Sequence, residues 1–206
     1  MIKALRYVRF ISAVICIVSL LSIMTSCGKR YDENEIISSA KELIEASYEI
    51  NSIYFGDGLP TAEYSGDEDS ELKYAELSEN SPYKTEQEIR DATLRVYSEE
   101  YAKSLFELAF TGMSSEADAG NGSTIIDTAY ARYVEFSGVL SARILDDSEK
   151  LKLNRMYDTE SLSVVRQGES KAVVAAPSFL DGVPSDTIEL TLVMTDDGWR
   201  LDTPTY

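Results

Sequence analysis

The stretch KAVVAAP at 171–177 decides the fold, because five consecutive apolar residues follow its first lysine. A strand that is apolar on both faces belongs at the centre of a sheet, where both faces are covered. The residues at 161–166 precede it, and Gln167-Gly168-Glu169 separates the two with a glycine that favours a turn. We therefore predict a hairpin of 161–166 with 171–177, and we expect the second of these strands to be central.

Two further stretches alternate apolar and polar residues with the period of two that is typical of strands. The first runs over 130–144 and is interrupted at Gly138, which we interpret as a bulge or a sharp bend in one long strand. The second runs over 188–194. Asp197-Gly198 follows it as a two-residue hairpin signal, and 199–202 then forms the last strand.

Three helices are predicted before these strands. Apolar residues at helical spacing predict the first over 34–53. Thr85 and Glu88 form a capping box for the second, which runs to about Tyr97. Ser98 begins the third, and Thr111-Gly112 ends it. The composition of 113–124, rich in Ser, Gly, Ala and acidic residues, predicts a loop.

These elements place the chain in the α+β class. We predict about three helices packed on a curved antiparallel sheet of four to six strands. The chain length is that of one ordinary domain, which we assign to 35–206.

The charge balance is strongly acidic. Among 206 residues there are 19 basic and 36 acidic side chains, and three of the basic ones lie in 1–26, so the remainder carries a net charge of −20. Such a surface repels nucleic acid, so we expect no nucleic-acid partner, and it steers basic partners toward itself. Solubility on a crowded surface is the simpler explanation of the same charge.

Residue types that commonly carry catalysis are scarce. The sequence has no histidine, and its two cysteines are Cys16 and Cys27. This composition excludes Ser–His and Cys–His nucleophiles and the common histidine-based zinc sites. Pairs of carboxylates for glycoside hydrolysis are too numerous to be specific. We expect a non-enzymatic protein with no cofactor and no metal.

The N-terminal segment has the pattern of a secretory signal helix, since Lys3, Arg6 and Arg9 precede an uncharged apolar run over 10–24. The sequence MTSCG at 24–28 resembles the lipobox of bacterial lipoproteins, with a methionine where leucine is usual. The resemblance implies removal of a signal peptide, 1–26, and lipidation of Cys27. A short linker to residue 34 would then hold the domain at the extracytoplasmic face of the cell membrane, through acyl chains in the bilayer. A retained membrane helix is the alternative.

An acidic loop is expected between the first two helices, over 56–82. Its candidate partner-binding residues are Tyr64, Asp67, Glu68 and Asp69, and Tyr83 lies just after it. The acids lack the residue order of a calcium-binding loop, which favours a solvated loop. The tyrosines either attach the loop to the core or face a partner.

Two aromatic residues near the end of the chain are further candidates for partner binding. Trp199 and Tyr206 could together form an aromatic lip. Strand alternation favours the other interpretation for Trp199, in which its side chain fills the core beside Leu201.

The order of the elements resembles the nuclear-transport-factor-2-like (NTF2-like), cystatin-related cone fold. More narrowly, 82–206 is similar to the Gram-positive family of DL-endopeptidase inhibitors and its lipoprotein relatives. The matching segments are YKTE at 83–86, VYS at 96–98, YA at 101–102 and the ending GWRLDTPTY at 198–206.

This resemblance implies a non-enzymatic, extracytoplasmic protein of a Gram-positive bacterium that inhibits or regulates a cell-wall hydrolase by occupying its active-site groove. It assigns no inhibitory residues. The alternative is a small-molecule-binding NTF2-like protein whose pocket is lined by apolar and aromatic side chains.

Overall fold

The computed structural model describes residues 30–118 and 124–206, with side chains for 30–112 and 129–206. The predicted signal peptide, 1–26, and Cys27 lie outside the described residues. The helices are α1 (Glu33–Phe55), α2 (Glu86–Val96) and α3 (Glu99–Phe106), and a π-helical segment at Glu107–Thr111 extends α3. The strands are β1 (Tyr74–Glu76), β2 (Met113–Asp118), β3 (Thr124–Ala129), β4 (Tyr133–Phe136), β5 (Val139–Arg143), β6 (Arg155–Tyr157), β7 (Ser163–Gln167), β8 (Lys171–Leu180), β9 (Val183–Thr195) and β10 (Gly198–Leu201).

The longest helix, α1, confirms the prediction over 34–53 with one extra residue at its start and two at its end. Asp32 caps it by accepting the backbone N–H of Asn34 at 2.7 Å. The acidic side chains of its first turn stabilise the helix by interacting with the positive end of its dipole. The last turn closes where the Gly56 N–H donates to the Ser52 carbonyl at 3.0 Å.

The two shorter helices begin where their caps predict. The Thr85 hydroxyl accepts the Glu88 N–H at 3.2 Å, and the Glu88 carboxylate accepts the Thr85 N–H at 3.1 Å, which completes the capping box. The Ser98 hydroxyl accepts the Tyr101 N–H at the start of α3. Gly112, with φ of 78°, ends the π-helical segment.

The central position of β8 is confirmed. The five-stranded sheet has the order β10-β9-β8-β6, and β7 pairs with β8 on the same side as β6. Each of these pairs is antiparallel. The hairpin with 161–166 is also confirmed, because β7 pairs Gln167 with Ala172. Ala172, Val174 and Ala176 are buried on one face and Val173 on the other, so the apolar run is covered on both sides.

The loop predicted over 113–124 is wrong. β2 and β3 form a two-stranded antiparallel ribbon in which Met113 pairs with Ala129 and Asp118 with Thr124. Main-chain pairing defines a ribbon of this kind. The polar composition of the segment carries no strand signal, because strand formation here depends on the pairing of β2 with β3.

The single long strand predicted over 130–144 is also wrong. The chain reverses at Ser137-Gly138, where both residues have positive φ, 53° and 83°, so β4 and β5 pair with each other. Positive φ at both central positions is the geometry of a tight two-residue hairpin turn. The other predicted hairpin, at Asp197-Gly198, is confirmed. Its turn residues are Asp196 and Asp197, and Gly198 already pairs with Thr195.

The three helices pack against a strongly curled antiparallel sheet, which confirms the α+β class. The apolar stripe of α1, with Ile36 and Ile44 at its centre, meets Val174, Leu190 and Leu192 of the sheet in one core. The core residues lie between 36 and 201, and side chains fill the space between helix and sheet. No helix in the described part of the chain is long and apolar enough to cross a membrane.

Candidate binding surfaces

The acidic loop is held together by its own polar groups. The Tyr64 hydroxyl donates to the Asp67 carbonyl at 3.0 Å, and the Asp67 carboxylate accepts the Asp69 N–H at 3.0 Å. Glu68 forms an ion pair with Lys73 at 3.0 Å, and the Lys73 ammonium lies 5.7 Å from the centre of the Tyr64 ring. The four residues predicted for this loop are therefore brought together. Within the described residues, no three potential metal-ligating side chains cluster here or elsewhere.

A groove of about 480 Å³ runs between α1 and α2 and reaches the start of β10; we name it groove B. Its lining residues are Ser39, Glu42, Leu43, Ala46, Glu49, Ile50, Tyr83, Ala92, Arg95, Val96, Asp197, Gly198, Trp199 and Arg200. Tyr83 and Trp199, which are far apart in the sequence, thus line the same groove. No residue of the acidic loop, 56–82, is among these lining residues.

Trp199 lies in the floor of groove B. Its side chain is only 3% exposed and belongs to the core together with Leu201, so the core interpretation is confirmed. The Tyr31 ring packs edge-on against the indole at a centroid distance of 4.9 Å. Trp199 therefore shapes the groove from below and offers little surface of its own.

The acidic side chains of groove B are incompletely neutralised. The Tyr83 hydroxyl donates to the Glu49 carboxylate at 3.2 Å, and burial, followed by the negative charge of Glu49, raises the pKa of Tyr83. Glu42 and Glu49 form no ion pair with any described residue. The Arg200 guanidinium is engaged by backbone carbonyls, including that of Leu94 at 2.7 Å. Groove B therefore presents carboxylates that remain able to bind a cation.

A second groove, of about 420 Å³, lies between the C-terminal half of α1, the segment 150–156 and the chain end at Thr205 and Tyr206; we name it groove A. Tyr206 is 40% exposed and its ring packs on Phe55 at 4.5 Å. Since Tyr206 lines groove A and Trp199 lines groove B, the two rings do not form one aromatic lip.

A buried polar network supports groove A from behind. The Tyr97 hydroxyl donates to Asn51 Oδ1 at 2.8 Å, and Asn51 Nδ2 donates to the Thr205 hydroxyl at 2.8 Å. The Thr205 hydroxyl donates in turn to the Ser47 hydroxyl at 2.7 Å. Burial raises the pKa of Tyr97 to about 12. This network fixes the chain end against α1, because each polar group in it has a partner.

Sequence analysis did not identify the network or the cations of groove A. One signal was present, because Ser47 and Asn51 are polar residues four positions apart on the buried side of α1. Lys150 lies between Asp57 at 3.1 Å and Asp147 at 3.0 Å. Arg155 donates from Nη1 to the Ser178 hydroxyl at 2.7 Å. Neither cation stands out in the sequence, since only the fold brings them beside α1.

No protein-family model matches the chain, and a search of curated proteins found no match.

Proposed function

We propose that this chain is a lipid-anchored extracytoplasmic lipoprotein whose NTF2-like domain binds another protein through groove B. We further propose that the partner is a peptidoglycan DL-endopeptidase, which the domain inhibits or regulates. The anchor rests on the lipobox-like sequence before Cys27, and the class of partner rests on the resemblance of 82–206 to the inhibitor family.

The observation that carries this proposal is the chemistry of groove B. The groove combines a half-buried tyrosine, Tyr83, with two exposed glutamates, Glu42 and Glu49, that lack ion pairs within the described residues. Aromatic side chains are enriched at protein interfaces, and complementary charge accelerates association and selects the partner. With a net charge of −20 after residue 26, the domain favours a partner with a basic surface.

The buried side chains of the described residues support a surface partner over an enclosed small molecule. Tyr97, Tyr133, Leu190 and Leu201 are fully buried between the helices and the sheet. A cone that held an apolar ligand would need an internal cavity of several hundred Å³ lined by such residues. Grooves A and B, in contrast, both open on the surface.

The test is binding and inhibition of hydrolases from the protein's own cell envelope by the soluble chain 28–206. We expect a complex with a DL-endopeptidase and slower cleavage of peptidoglycan. The paired variant Glu42→Gln/Glu49→Gln should weaken the complex up to about tenfold, because it removes charge from groove B. Binding to no envelope hydrolase would contradict the proposal.

A matched control is available on the same helix. Glu35 and Glu45 are exposed on α1 but do not line groove B. The variant Glu35→Gln/Glu45→Gln changes the net charge equally, so it should leave the affinity close to that of the unmodified chain. Equal losses for the two pairs would indicate a general effect of charge and no role for groove B.

A further inference from the structure

We propose that groove A binds an extended peptide that carries a carboxylate and adds as a strand to β6. This site lies on a different surface from groove B, and it does not depend on the proposed function. The proposal rests on three features of groove A: a strand edge whose backbone groups are open at Arg155, a cation without an acidic partner, and exposed apolar walls.

β6 is an edge strand whose outer side faces groove A. The Asn154 carbonyl accepts the Asp181 N–H at 3.2 Å, and the Asp158 N–H donates to the Pro177 carbonyl at 2.8 Å. The backbone groups of the even-numbered residues therefore bond to β8. In an antiparallel pair the backbone groups of alternate residues point away from the partner. The outward groups of β6 therefore belong to Arg155 and Tyr157.

One of these outward groups shows that the outer side of β6 faces groove A. The Tyr157 N–H donates to the Tyr48 hydroxyl at 3.1 Å, and Tyr48 lines groove A. The N–H and C=O of Arg155 lie on the same outer side, which is available to an added strand. Unpaired edges of this kind bind extended peptides through main-chain hydrogen bonds.

Arg155 supplies charge complementarity at the same place. Its guanidinium is half-buried and donates to the Ser178 hydroxyl. No carboxylate of the described residues lies within 4.0 Å of it. Lys150, the other cation of the groove, is already bridged to Asp57 and Asp147. A guanidinium with unused donors binds a carboxylate through strong, directional hydrogen bonds.

Exposed apolar side chains form the walls of groove A. Leu151 is 45% exposed, Met156 51% and Tyr206 40%. The residues of an extended peptide alternate between two faces, and such walls accept the apolar residues of one face. The occupant that fits all three features is a peptide with apolar residues and a free carboxylate.

The test measures binding of fluorescein-labelled peptides to the soluble chain 28–206, which contains the whole core described above. The probes are Thr-Val-Thr-Val-Thr-Val with a free carboxylate, the same peptide as a carboxamide, and the free acid with N-methylated valines. We expect the free acid to bind at least about tenfold more tightly than the carboxamide. N-methylation should abolish binding, because it removes the hydrogen bonds of an added strand.

Variants test the role of Arg155 directly. Arg155→Gln should bind the free acid and the carboxamide with equal affinity. Arg166→Gln, which removes an exposed cation of β7 that pairs with Glu189, should keep the preference. Leu151→Asp offers an independent variant if Arg155→Gln fails to fold. It should weaken binding of the free acid by repulsion, whereas Val165→Asp, at an equally exposed position of β7, should not.

Several results would overturn the proposal. These are no binding of any peptide at about 1 mM, equal binding of the N-methylated peptide, and a carboxylate preference that survives in Arg155→Gln. Octanoate serves as a further probe. Arg155-dependent binding of octanoate without binding of any peptide would also overturn the proposal, in favour of a small amphipathic anion.

Discussion

The hydroxyl of Tyr48 in α1 accepts the backbone N–H of Tyr157 in β6 at 3.1 Å. This hydrogen bond joins the longest helix to the edge of the five-stranded sheet across groove A. It also satisfies an edge N–H that an added strand would otherwise use.

Replacing Tyr48 by Phe should therefore loosen β6. The ring remains, but the partly buried N–H of Tyr157 loses its acceptor, which costs about 1–3 kcal/mol. Denaturant unfolding measures this loss, and hydrogen exchange should show faster exchange of the Tyr157 amide. Tyr83→Phe is the control, because its exposed hydroxyl bonds to an exposed carboxylate. Equal stability of Tyr48→Phe and the unmodified chain would contradict the prediction.

Thr205→Val tests the buried network behind groove A. The change keeps the shape of the side chain but removes the hydroxyl that contacts Ser47, Asn51 and Tyr97. Each buried polar group left without a partner costs about 1–3 kcal/mol, so the free energy of unfolding should fall by about 1–3 kcal/mol or more. Thr187→Val, at an exposed position in β9, should change it by less than about 0.5 kcal/mol. A neutral effect of Thr205→Val would show that the network does not hold the chain end.

Stability should decrease at alkaline pH because of Tyr97. Burial raises the pKa of Tyr97 from 10.0 to about 12 in the folded chain. Above pH 10 the unfolded chain releases this proton while the folded chain keeps it, so the stabilisation is fully present below pH 10 and is lost as pH rises to about 12. The two-unit shift corresponds to about 3 kcal/mol.

Unfolding followed together with tyrosinate absorbance checks this expectation. Tyr97→Phe should flatten the pH dependence between pH 10 and 12, although it also removes a hydrogen bond and lowers stability at neutral pH. Burial also raises the pKa of Tyr157 to about 12 and raises the pKa values of Tyr54 and Tyr101, so these tyrosines contribute to the same loss of stability above pH 10. An unchanged slope in Tyr97→Phe would assign the whole effect to other tyrosines.

Cys27→Ala should abolish lipid attachment. In cells fed an alkyne-tagged fatty acid, the unmodified chain should carry the label and remain with the membrane fraction. The variant should carry no label, because the thiol proposed to accept the lipid is absent. Cys16→Ala is the control, since that cysteine lies within the predicted signal peptide. Labelling of Cys27→Ala would refute the lipoprotein assignment.

Local signals predicted the helices well. Thr85, Glu88 and Ser98 cap helices through hydrogen bonds to residues at most three positions away, so nearby sequence contains the whole interaction. The central strand β8 was also predictable, because a run that is apolar on both faces has few other places in a fold.

Other elements depended on partners that local sequence does not reveal. β2 and β3 are polar, and their pairing with each other makes them strands. Ser137 adopts φ of 53° beside Gly138. Serine rarely adopts a positive φ, so its presence in the sequence did not indicate that the chain reverses there. The two-residue turn therefore replaced the expected bend.

The candidate sites also include parts that local sequence predicts and parts that depend on the tertiary structure. The part of the acidic loop that holds Tyr64, Asp67 and Asp69 was predictable, since these residues bond to one another over a few positions. The loop predicted over 56–82 is wrong at Tyr74–Glu76, where β1 forms by pairing with β5. The fold places Trp199 and Tyr206 in different grooves, and it places Trp199 in the same groove as Tyr83. Both results follow from the packing of α1 between distant segments.

The sequence by itself determined the α+β class, the acidic charge, the absence of histidine and the lipobox-like segment, because these depend on composition and short-range pattern. Only the tertiary structure decided that Arg155 lies half-buried at an open strand edge without a carboxylate partner among the described residues. That arrangement requires β6, α1 and the chain end to meet, and the burial of one shared core brings them together.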